Sequence, residues 1–157
     1  MSKNKKITLG LAITVIVYIG ILLYTHSPYY ILEHSAKPYI TEAEQFFTQN
    51  LGQLRTLVEM ARDTDEDIYY SFSSTVFNTP NIPTDIEEVL FELAKNTEKD
   101  YAVRIFSGNV KIFIANETYL QVDLTHSVPP YRELYKYERR YDFGDGWILY
   151  TLYVLRG

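Results

Sequence analysis

Between Ile7 and Leu23 the chain runs seventeen residues without a charged side chain, directly after Lys3, Lys5 and Lys6. As a helix rising about 1.5 Å per residue, residues 7–24 span roughly 27 Å, close to the hydrocarbon thickness of a bilayer. Ala, Leu, Ile and Val fall on every face of that helix, so it has no polar stripe to turn to water as a core helix would. The run reads as a transmembrane helix. The preceding lysines are the residues retained on the cytoplasmic side, which assigns 1–6 to a cytoplasmic leader and the remainder to the extracytoplasmic side. Tyr24, His26, Tyr29 and Tyr30 follow at the headgroup level, where amphipathic rings bury a body and wet a tip.

A cleavable signal peptide is the competing reading, because a basic start and an apolar run describe both. The run exceeds the usual signal length, and the nearest small-residue pair, Ser35 and Ala36, lies a dozen residues too far on. The chain has no cysteine, which removes a lipoprotein anchor and any disulfide framework. The expected place is therefore a membrane, crossed once, with the N-terminus cytoplasmic.

Beyond the anchor, residues 25–40 read as a juxtamembrane connector or the start of the first helix, and 41–157 as one extracytoplasmic domain. All 20 acidic residues but only 12 of the 15 basic ones follow Leu32, a balance of −8. Phosphate binding wants the opposite sign, so nucleic acid is excluded as a partner. Stability must come from a core to which 15 Tyr, 8 Phe and 1 Trp can contribute.

Thr41-Glu42-Ala43-Glu44 has the form of a capping box. Phe47, Leu51, Leu54, Val58 and Ala61 then recur at helical spacing and predict a helix over 42–62, ended by the acidic residues 63–67. Residues 68–77, rich in Tyr, Phe, Ser and Thr, predict a strand. Asn78 to Pro83 is a loop, and Pro83-Thr84-Asp85-Ile86-Glu87 a second capping box opening a helix over 85–97. From Asp100 the period changes to two. Strands over 101–106 and 110–115 flank Ser107-Gly108-Asn109. Leu120, Val122 and Leu124 alternate with polar neighbours, and strands over 137–141 and 147–155 flank the glycines of residues 142–146. The expected fold class is α+β: a single N-terminal transmembrane helix, then a two-layer domain of two helices on an antiparallel sheet of four to six strands.

Candidate sites are few. Asp63, Asp65 and Asp67 have the one-three-five spacing that begins a calcium loop, but Ile68 and Ser74 stand where that loop needs Gly and Glu. A solvated helix end explains them, and their charge is unfavourable to the helix dipole, which leaves them open to a basic partner. His26, His34 and His126 lack zinc spacing, so no metal and no cofactor is assigned. Asp123, His126 and Ser127 are the sole Asp/His/Ser grouping, on a strand whose successive residues point to opposite faces, and no catalytic residue is assigned. Gly144-Asp145-Gly146 opens a strand, whereas a phosphate-binding loop opens a helix. Asn116-Glu117-Thr118 matches a glycosylation sequon, with meaning only in a eukaryotic secretory route. Tyr131, Tyr135, Tyr137, Tyr141, Tyr150 and Tyr153 crowd the C-terminal region with Arg132, Lys136, Arg139 and Arg140. Tyr and Arg supply much of the energy of protein interfaces, and the bland alternative is that half of these rings complete the core. Arg132, Tyr135, Lys136, Arg139 and Arg140, with Asp63, Asp65 and Asp67, are the candidate partner-binding residues.

The order of leader, anchor, helix, strand, capped helix and hairpin, ending in Gly146-Trp147-Ile148-Leu149-Tyr150, resembles a loose group of small uncharacterised bacterial envelope proteins. Their last strand carries a Trp-Tyr-Leu-Tyr-like run, and here Ile148 stands where the group has Tyr. That group is similar to immunity proteins, which implies a non-catalytic domain that binds and neutralises a toxin. The expectation is a membrane-anchored protein-binding domain of this kind, with an assembly subunit of an envelope complex as the alternative and an enzyme as the third.

Overall fold

A computed structural model describes residues 3–117, 119–126 and 137–153. Helix α1 is Lys3–Thr25, α2 is Pro28–Tyr30, a π-helical turn covers Ile31–Ser35, and α3 is Lys37–Arg62. Strand β1 (Ile68–Ser71) is followed by a 3-10 turn, Thr75–Phe77, and α4 (Thr84–Lys95). Strands β2 (Ala102–Phe106), β3 (Asn109–Asn116), β4 (Leu120–His126), β5 (Glu138–Gly144) and β6 (Trp147–Tyr153) complete the chain. The six strands form one sheet in the order β1-β2-β3-β4-β6-β5, antiparallel at every pairing, so the fold is α+β.

The core lies between one face of the sheet and the helices. Leu54, Leu57, Val58 and Ala61 of α3 and Ile86, Leu90 and Leu93 of α4 are buried with Val103, Ile105, Ile112, Val122, Leu124, Trp147 and Leu149. Period-two alternation puts the strand members of that set on one face. The β2–β3 hairpin turns on Ser107 (φ 47°) and Gly108 (φ 74°), the two successive positive-φ residues of a two-residue turn whose twist matches the strands.

Several expectations are corrected. The chain is already helical before Thr41, so no capping box forms there, and the Thr41 hydroxyl donates to the Lys37 carbonyl instead. A helix's orphan amides exist only at its start. That start is Ser27, whose Oγ accepts from the Tyr30 amide, with Pro28 in the first turn. The connector 25–40 is thus helical from Pro28 onward, and Leu32 and Ala36 are buried in the domain core. Helix α4 starts after Pro83 without a side-chain cap. Helix α3 is kinked at Asn50 (φ −116°, ψ 17°), where the buried amide donates to the Phe46 carbonyl and accepts from Asn96.

The strand expected over 68–77 stops at Ser71, because the chain folds back on it. Tyr69 N donates to Thr79 Oγ1 (2.8 Å) and Ser71 N to Asn78 Oδ1 (2.7 Å), so side chains close this edge of the sheet. The expectation of 147–155 as a strand is met to Tyr153, and the last two residues lie outside the described residues.

Among the described residues no single helix is long and apolar enough to cross a membrane. Gly10–Thr25 and Pro28–Ser35, bent by 56°, reach that length and apolarity as a pair. Val15, Ile16, Val17, Tyr18 and Ile19 are each about half exposed or more. Steps of about 100° carry five consecutive residues right round a helix, so α1 shows apolar side chains to its surroundings on every side.

Candidate functional site

The eight partner-binding candidates do not form one patch. Arg132, Tyr135 and Lys136 lie outside the described residues. Arg139 and Arg140 are on edge strand β5, while Asp67 precedes β1 at the opposite edge. Five strand spacings of about 4.8 Å separate those edges by roughly 24 Å. Asp63 is the residue that ends α3, and Asp65 is exposed in the following turn. Asp67 is committed to Arg104 of β2 by two bonds, 2.9 and 2.6 Å, and that guanidinium holds its carboxyl below the usual range. A calcium-type array would need that carboxylate turned to the ion, and among the described residues no group of three or more His, Asp or Glu is placed to hold a metal.

The basic edge is also partly engaged within the molecule. Arg139 stands 4.0 Å from Glu33 of the π-helical turn, and Arg140 pairs with Glu138 while lying over the Tyr150 ring at 5.3 Å. Tyr150 is buried, and Tyr137, Tyr141 and Tyr153 pack against the core, so these rings complete the fold. Tyr131 lies outside the described residues.

One cluster of chemically capable side chains went unnoticed in the sequence, because it joins α3 to the β5–β6 turn. A cavity of about 250 Å³ is lined by Arg55, Glu59, Arg62, His126, Asp145 and Trp147, with Val58. Arg55 donates to Asp145 Oδ2 through Nε (2.9 Å) and Nη2 (2.6 Å). His126 is buried beside Trp147, their ring centres 5.3 Å apart. Burial first, and the Arg62 charge second, lower the His126 pKa, against a hydrogen bond from the ring to the Asp145 backbone and the Asp145 charge. Its Nδ1 has no hydrogen-bond partner among the described residues. The imidazole can take or give a proton, but among the described residues no hydroxyl lines the cavity with it. Asp123 is on the other face of β4, paired with Lys111, so His126 and Asp123 cannot act together; Ser127 lies outside the described residues.

The other constructed feature is the junction of α1 with the domain. Tyr24 meets Tyr30 edge-on at 5.3 Å, and Tyr30 stacks on His34 at 4.2 Å. With Leu32 and Ala36 buried, the helical turns from Pro28 onward are docked on the domain, and a break at Ser27 (φ −73°, ψ 146°) separates them from α1. Comparison with protein-family models, curated proteins and solved structures finds no match to this chain.

Proposed function

We propose that this protein is a single-pass membrane protein whose α+β domain is held outside the cytoplasm and binds another protein, in the manner of a toxin-neutralising immunity factor. The observation that carries the reading is α1, whose residues 10–24 are exposed right round the helix and almost all apolar, followed by helical turns docked on the domain. Such a surface is stable in lipid and costly in water. The short junction keeps the domain at the bilayer, where a partner arriving at or crossing the membrane would meet it. Edge strand β5, with Arg139 and Arg140 half exposed, is the side of the sheet open to such a partner.

Two measurements test the proposal separately. A phosphatase fused after Gly157 is expected to be active and the fraction to resist alkaline extraction; a reporter active only in cytosol overturns the anchor. Affinity capture from detergent-solubilised envelope is expected to recover one protein at stoichiometric yield, lost with the Arg139→Glu/Arg140→Glu pair. No stoichiometric protein partner, a toxin encoded beside it included, overturns the binding role.

A further inference from the structure

Four separated segments bring tyrosines into one tier at the end of the domain that meets α1. Tyr29 of α2 touches Tyr137 edge-on at 5.5 Å, Tyr137 touches Tyr153 at 6.1 Å, and Tyr153 stacks on Tyr119 at 6.2 Å with planes only 12° apart. Tyr24 and Tyr30 extend the tier to the last turn of α1. Topology places it: the end of β3, the start of β4, the start of β5 and the end of β6 all lie at this end of the sheet. Tyr24, Tyr29 and Tyr119 remain more than half exposed, although large aromatic rings gain most from leaving water. Beside Tyr119 a groove of about 320 Å³ opens between Ile31 and Leu120, its far wall closed by the Tyr39 hydroxyl donating to Glu117 at 2.9 Å.

The geometry points to a second membrane contact: the exposed rings of the tier, Tyr24, Tyr29 and Tyr119, backed by the core-packed Tyr137 and Tyr153, rest in the headgroup layer of the bilayer that α1 enters, fixing the domain's tilt. This rests on α1 being the anchor, and two features select lipid as the occupant. The tier is continuous with the end of α1, only four residues from Thr25 to Tyr29, so it cannot lie far from the surface. Tyrosine, with an apolar body and a hydroxyl tip, is the side chain enriched at that depth. The domain's negative charge means that the contact is made by rings and not by attraction to anionic lipid.

The absence of cysteine makes the test direct, since any introduced thiol is labelled alone. The full chain is reconstituted in vesicles of phosphatidylethanolamine and phosphatidylglycerol with a nitroxide at Tyr18→Cys in α1, Tyr119→Cys in the tier, or Ser107→Cys in the β2–β3 turn. Eight residues of β3 at about 3.4 Å each put position 107 roughly 27 Å from the tier. Collision with oxygen relative to a water-soluble nickel chelate is expected to be several-fold higher at 119 than at 107, and highest at 18, with the value at 119 unchanged by high salt. A value at 119 equal to that at 107, with 18 lipid-like, overturns the tier contact and leaves the anchor standing. Water-like values at both 18 and 119 overturn both. Dipolar broadening at 119 that vanishes on dilution with unlabelled protein means that a second copy covers the tier, and also overturns the lipid contact.

Discussion

Lys111 Nζ lies 3.2 Å from Asp123 Oδ2 on the sheet face away from the helices, with both side chains almost wholly out of water. Gln121 donates to the same oxygen at 2.6 Å, and the Lys111 ammonium stands 5.5 Å from the centre of the Phe113 ring. An ion pair desolvated to this degree is sensitive to removal of one member, because the 1 % exposed Asp123 carboxylate loses this ammonium and regains no water in exchange. Lys111→Met is expected to lower unfolding stability by about 3 kcal/mol in urea titration of the detergent-solubilised chain. Lys111→Met with Asp123→Leu is expected to recover much of that loss. A double-variant loss as large as that of Lys111→Met alone would show that the cost does not come from the stranded Asp123 carboxylate.

His126 links stability to pH. Its folded-state pKa lies below the ordinary value of 6.5, chiefly through burial, so the unfolded chain binds the proton more readily. The contribution is therefore complete above about pH 6.5 and is lost as pH falls from there through the depressed folded value. Melting temperature should drop between pH 7.5 and 5.5, and His126→Gln should flatten that slope. Asp67 acts in a separate, more acid range: its pKa is lowered by Arg104, so what it contributes disappears only below its unfolded value near 3.8. A slope between pH 7.5 and 5.5 that survives His126→Gln would remove the histidine from the account.

Periodicity found the sheet and the two domain helices because it reports which faces are buried, and Leu54, Leu90, Val122 and Leu124 are buried as the spacing requires. What it missed depended on continuity or on distance along the chain. Thr41 to Glu44 matches a cap by composition, yet a cap needs a helix start, and Ser27-Pro28 held that signal fourteen residues earlier. Residues 72–77 have strand-like side chains, but Asn78 and Thr79 occupy the amides on the outer edge of β1. The His126 cavity and the tyrosine tier unite residues up to about 125 positions apart, which no local pattern encodes.

Gly146 is the tightest turn position of the β5–β6 hairpin. Its φ is +79°, and a Cβ there would stand 2.9 Å from His126 Nε2. Gly108 has a similar φ of +74° but open space around it. Gly108→Ala carries only the left-handed strain of about 1 kcal/mol, whereas Gly146→Ala adds a clash with a buried ring that Trp147 holds in place. The expected order is a loss of about 1 kcal/mol for Gly108→Ala and at least twice that for Gly146→Ala in parallel urea titrations. Equal losses would show that the imidazole moves aside freely.

Leu32 is the residue by which the juxtamembrane turn holds the domain. It is 2 % exposed, sits in a π-helical turn that packs on β4 and β6, and belongs to the same core cluster as Trp147 and Leu149. Truncating a leucine so enclosed costs about 2–5 kcal/mol through lost burial and the cavity left behind. Part of that loss should appear as undocking of residues 28–36 from the domain, since Leu32 and Ala36 are the two buried side chains of that stretch. Leu32→Ala is therefore expected to raise amide hydrogen exchange over residues 28–40 before it raises exchange in β3 and β4. Uniform loss of protection across the sheet and the turn would instead make Leu32 an ordinary member of the core, and the domain would have no separately released junction.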